Sequence, residues 1–144
     1  MIGMDILRPV LVLAAWTLVV WAWMVATRIP ALKSAGIDIG TLTGGTGRDA
    51  GKIVPPQVQW KADNFNHLHE APTVFYAAAL VLAMIGQGDG INAALGWAFV
   101  TLRIAHSLVQ TLWNKVSVRF LLYVLSQLAL AALILHGLIA VFAA

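Results

Sequence analysis

The chain has 144 residues, of which 60% are hydrophobic and only 10% charged, with a formal net charge of +3. An average soluble domain carries roughly 25% charged residues, and a globule this small cannot hide so much apolar surface. An ordinary cytosolic enzyme, a disordered tail and a disulfide-stapled secreted module are therefore excluded, and a membrane is the remaining solvent. The absence of cysteine removes thiol nucleophiles and thiolate metal sites. The basic residues are few and scattered, which argues against nucleic acid and makes them reporters of loop orientation.

A membrane-spanning helix needs about 20 apolar residues. The first such segment runs from about Pro9 to Ile29 and is uncharged from Val10 to Thr27. A cleaved signal peptide is the rival reading, disfavoured because no basic leader precedes the apolar stretch and three more hydrophobic segments follow. Residues 30–61 form the one long loop, rich in Gly and Thr and expected to be irregular. Within it, Gly45 to Lys52 resembles a phosphate loop in outline. It fails in detail: Thr46 stands where the first glycine belongs, and Ile53 where a magnesium-binding hydroxyl belongs.

The second segment is uncharged only from Ala71 to Gly86, which is short for a span. The expectation is a longer helix over about 64–86 that takes in the polar run Asn64 to Glu70 and is kinked by Pro72. A short helix starting at Pro72 is the alternative. The third helix is expected over about 91–113 and the fourth over about 117–143, with tight turns at Gln87–Gly90 and Trp113–Ser117. Short connections make antiparallel neighbours. The predicted fold class is therefore all-α, an integral membrane four-helix transmembrane bundle occupying residues 1–144 as one domain. Lys and Arg concentrate in the first and third loops, which places both in the cytoplasm by the positive-inside rule.

That orientation puts the unusual polar residues at one level. Asn64 to Glu70 start the second helix. Arg103, His106 and Gln110 lie on one face of the third, and Arg119, Tyr123 and Gln127 on one face of the fourth. Intramembrane charges are costly unless paired or hydrated, so these faces are expected to look into the bundle or a wet cavity. Glu70 is the only acid at this depth and the expected counter-ion of Arg103. His67, His69, Glu70 and His106 are possible metal ligands but make a poor set, because a single carboxylate is present and the His67–Glu70 order reverses the Glu-x-x-His signature of di-metal bundles. Lone His136 reads as a packing residue.

With these residues in view, the chain resembles the MAPEG family, the membrane-associated proteins in eicosanoid and glutathione metabolism, and most closely its poorly characterised bacterial branch. The resemblance is carried by Asp63 to Tyr76, by Leu102 to Ser107, and by Asn114 to Tyr123 followed by Ser126 and Gln127. It covers essentially the whole chain. It implies a homotrimer in a bacterial inner membrane that binds glutathione between subunits and takes lipophilic substrates from membrane lipid. By resemblance, Arg119 activates the thiol and Tyr123 assists as catalytic residues. Glu70, Arg103, His106, Gln127 and His67 line the glutathione site. The chain departs from the well-studied enzymes at Asp63 and Asn66, which replace carboxylate-gripping arginines. It departs again at His67 in place of Asn, Phe120 in place of a hydroxyl residue, and Gln110 in place of Tyr. The family also contains a non-catalytic lipid-binding member, so a non-enzymatic lipid-binding or scaffold subunit of a larger membrane complex is the alternative.

Overall fold

The computed structural model describes residues 2–143, and it is helical, with no strand among the described residues. The helices are α1 (Leu7–Ser34), α2 (Gly47–Gly51), α3 (Pro56–His67), α4 (Ala71–Met84), α5 (Ile91–Leu112) and α6 (Val116–Phe142). Two of them, α1 and α6, are long and apolar enough to cross a membrane by length and composition. The most extensive packing is α5 along α6. α1 lies against α3, α4 and α5, and α4 against α6. The shared core includes Leu13, Val20, Phe75, Leu82, Phe99 and Leu133, and the Phe75 and Phe99 rings stack at 4.5 Å.

The second helix is not continuous over 64–86, as expected from its length, but is divided into α3 and α4 by Leu68–Glu70. Pro72 is the physical reason. It cannot donate to the carbonyl of Leu68 and its ring clashes there, so the chain leaves the helix before it, with Glu70 at φ −93°, ψ −100° as the residue before α4. Pro72 therefore occupies the first turn of α4, where a missing N–H costs nothing. The helical start is nearer the short-helix alternative, while the polar run is itself the end of a separate helix. The long loop is likewise less irregular than expected. α1 passes Pro30 and ends at Ser34, and α3 begins at Pro56.

At the far end of the molecule the segment before α1 is tied to the α4–α5 turn. The Gly3 amide donates to the Ala83 carbonyl at 2.9 Å, the Ile6 amide to Gly88 at 2.9 Å, and the Asp5 amide to the Asp89 carboxylate at 3.0 Å. Gly3 and Gly88 lie against each other so closely that a β-carbon on either would strike backbone. Gly86 and Gly90 flank this turn with φ of 75° and 57°, which only glycine adopts without strain.

In the loop, Thr46 caps α2 in a reciprocal box with Asp49. The Thr46 hydroxyl and amide donate to the Asp49 carboxylate and hold it below the usual carboxylate range. A depressed carboxylate stabilises the folded turn above its ordinary pKa, and that contribution is lost as pH falls through the lowered value. Amide protection at Thr46 and Asp49, taken relative to the intrinsic exchange rate at each pH, is therefore expected to fall on acidification. Thr46→Ala, which keeps only the backbone donor to Asp49, should weaken that pH dependence.

Candidate functional site

One cavity of about 320 Å³ gathers residues from the α3–α4 break, α5 and α6. His67, Glu70, Arg103, His106, Arg119 and Tyr123 line it, with Ala71, Val116 and Phe120 as its apolar wall. These include six of the seven residues singled out in the sequence. Gln127 does not line it. Eight residues of helix carry Gln127 roughly 12 Å along the axis from Arg119 and most of a quarter-turn round it, so the shared face has drifted out of register. Its side-chain nitrogen is buried without a hydrogen-bond partner in the chain.

Arg103 is the largest of the fully buried side chains, at 2% exposure. Its expected ion pair with Glu70 is not formed. The ion pairs among the described residues are Arg8–Asp5 and Lys52–Asp49, both exposed. Instead, Arg103 Nη2 donates to the main-chain oxygen of His67 at 3.1 Å. The helix break explains the exchange. The last carbonyls of a helix lack intrahelical donors; His67 is the last residue of α3, and its oxygen, which takes only a long 3.3 Å bond from the Glu70 amide, has a lone pair left for the guanidinium. The same break turns the Glu70 side chain to the exposed rim. The Arg103 guanidinium also lies 5.9 Å from the centre of the Tyr123 ring, within cation–π range.

The histidines are held differently. His67 Nδ1 lies 3.0 Å from the Gln110 side-chain oxygen. That oxygen only accepts, so Nδ1 carries the proton and donates. His106 is buried, its ring 6.2 Å from that of His67, and its Nδ1 has no partner in the chain. Arg119 donates to the side-chain oxygen of Asn114 in the α5–α6 turn. Asn114 has a φ of 55°, a left-handed conformation that Asn tolerates better than most residues.

A second, more polar cavity of about 290 Å³ adjoins the first and is lined by Asp63, Asn66, Gln110 and Asn114. His67, Glu70 and Arg119 line both cavities and so form the partition. Behind it, Ser107 ties three helices together. Its hydroxyl accepts from Trp16 Nε1 at 2.9 Å and from Asn64 Nδ2 at 2.6 Å. The sequence places Gln110 on the polar face of the third helix but not its bond to His67, and Asn114 reads there only as a turn residue. The available signal was that Gln110 shares a helix face with Arg103 and His106.

The inner cavity is thus rich in donors and poor in acceptors. Arg103 Nε and Nη1 and Arg119 Nε are buried donors with no partner among the described residues, and His106 Nδ1 is a buried ring nitrogen that also has none; Glu70 is the one carboxylate among the residues on the cavity wall. Buried polar groups are normally satisfied, so the arrangement suits a ligand that brings acceptor atoms and negative charge.

Fold and site together define a helical membrane protein with a cationic pocket walled by three helical segments. The chain belongs to the MAPEG family, whose family model matches residues 6–139, nearly its whole length. No individual curated protein matches it in sequence.

Proposed function

We propose that this chain is a glutathione-dependent transferase or peroxidase acting on lipophilic electrophiles. In this reading it is a homotrimer of four-span subunits in a bacterial inner membrane, with α4 and α5 also crossing and the first and third loops cytoplasmic. The observation that carries it is the set of unpartnered buried guanidinium donors on Arg103 and Arg119 around one cavity. Those donors fit the acceptor-rich, anionic character of glutathione, which supplies the thiol nucleophile when bound. Arg119 holds negative charge at the sulfur, since a cation beside a thiol favours its ionised form. Tyr123 orients the reacting atoms by a hydrogen bond from its hydroxyl. Val116, Phe120 and Ala71 offer the lipophilic partner an apolar wall.

Glutathione added to the purified protein is expected to produce the ultraviolet absorbance of a thiolate, absent in Arg119→Ala. An absence of binding at millimolar glutathione would overturn the reading. The second reading is a lipid-binding or scaffold subunit of a larger membrane complex. It is favoured by an apolar groove of about 280 Å³ between α4 and α6, lined by Ala77, Ala78, Leu82 and Gly137 among others. Under that reading, native mass spectrometry retains lipid on a protein that ignores glutathione.

A further inference from the structure

We propose that His67 is the proton acceptor for the bound thiol, held in its working tautomer by Gln110 as a positioning residue. This rests on the glutathione reading above and deepens it. An arginine stabilises a thiolate but cannot take the proton, because guanidinium is already fully protonated. A base is therefore needed within the cavity or the proton must escape to solvent. The two imidazoles on the cavity wall are His67 and His106.

Geometry separates them. His67 Nδ1 is committed as a donor to Gln110, itself 2% exposed and so fixed in place. Nε2 is left with the lone pair and with no hydrogen bond among the described residues. The surroundings of the two rings also differ in sign. A proton gained at His67 faces Asp63 and Glu70 from its own segment, both lining the outer cavity with it. It also faces the negative end of the α3 dipole, since His67 is the last residue of that helix. Opposing it are Arg103 and His106 from α5 and Arg119 from α6; Tyr123 from α6 also faces it, as a neutral phenol. His106 is buried on α5, shares the inner cavity with Arg103 and Arg119, and does not line the outer cavity where Asp63 lies. The step balances simply: the S–H bond breaks, its electron pair stays on sulfur, and an N–H bond forms at His67 Nε2.

The test is a proton inventory on the full-length protein in detergent, titrated with glutathione in buffers of different ionisation enthalpy while thiolate absorbance is followed. In the unmodified protein, the thiolate band is expected with almost no proton released to buffer. In His67→Asn, each thiolate formed should release its proton to buffer. Gln110→Leu should behave the same way, and Gln110→Glu, which keeps an acceptor for Nδ1–H, should restore sequestration. A thiolate band accompanied by stoichiometric release from the unmodified protein overturns the assignment without any variant having to fold. Unchanged sequestration in a folded His67→Asn protein overturns it too. Failure of glutathione to bind instead removes the transferase reading, and the assignment with it, which is a distinguishable result.

Discussion

The double variant Glu70→Arg/Arg103→Glu is expected to be no more stable than Arg103→Glu alone. Charge reversal at Arg103 places a carboxylate, buried and without a cation, against the main-chain oxygen of His67 that now accepts from the guanidinium. A charge left uncompensated inside a membrane protein costs about 3 kcal/mol or more. Glu70→Arg alone should cost little, because Glu70 lies on the exposed rim and makes no ion pair. If the two side chains were partners, exchanging them would restore the attraction. Here the acceptor that matters is a backbone carbonyl, which no exchange of side chains can move. Thermal unfolding of the four proteins of the cycle in detergent measures the coupling. It should stay below about 1 kcal/mol, because the two side chains share a cavity wall without forming an ion pair. A recovery of well over 1 kcal/mol would show that the carboxylate and the guanidinium hold each other.

That expectation reverses the one drawn from the sequence, and the reason is instructive. The level of the polar residues was legible, because Arg103 and His106, or Arg119 and Tyr123, repeat at helical spacing inside apolar segments. Their convergence on one cavity followed from helix direction alone. The break at Leu68–Glu70 was not legible as such. Pro72 is compatible with a kinked helix or with a new helix start, and the choice depends on whether other groups satisfy the freed carbonyls. Arg103 does so from a different helix, thirty-six residues along the chain, which no local pattern reveals. The left-handed Asn114 that meets Arg119 is hidden for the same reason. A turn was clear from Trp113-Asn114-Lys115, but the direction of one side chain within it depends on backbone angles. Gln127 shows the opposite failure, a spacing rule extended over more turns than an untwisted helix keeps in register. Of the two segments recognisable as membrane helices from composition, α1 lends no residue to the cavity wall and α6 lends Arg119 and Tyr123, while His67, Glu70, Arg103 and His106 come from α5 and the α3–α4 break. The site is built mainly on segments whose polarity weakens the simplest signal of a span.

Ser107→Ala is expected to destabilise the protein by about 2–4 kcal/mol, far beyond the loss of one oxygen from an apolar surface. Its hydroxyl oxygen is the common acceptor for Trp16 on α1 and Asn64 on α3, and Ser107 and Asn64 are fully buried. Removing it leaves two donors unpartnered at once, at about 1–3 kcal/mol each. Interhelical hydrogen bonds in membranes often measure weaker than this, about 0.6 kcal/mol on average, because the loosened state finds other partners. That relief is small here: Asn64 is enclosed by α1 and α5, and its own side-chain oxygen is already unpartnered. Replacing the donors as well, in Ser107→Ala/Asn64→Leu/Trp16→Phe, should recover much of the loss, because a matched apolar set has no polar group left to strand. The effect should also reach the site. Asn64 lies three residues before His67 and Ser107 three before Gln110, so the lower pair braces the helices that present the upper one. Ser107→Ala is accordingly expected to loosen glutathione binding in protein that is still folded, while the triple variant binds more tightly than the single one. A Ser107→Ala protein that unfolds at the wild-type temperature would show that the hydroxyl is not the tie between α1, α3 and α5.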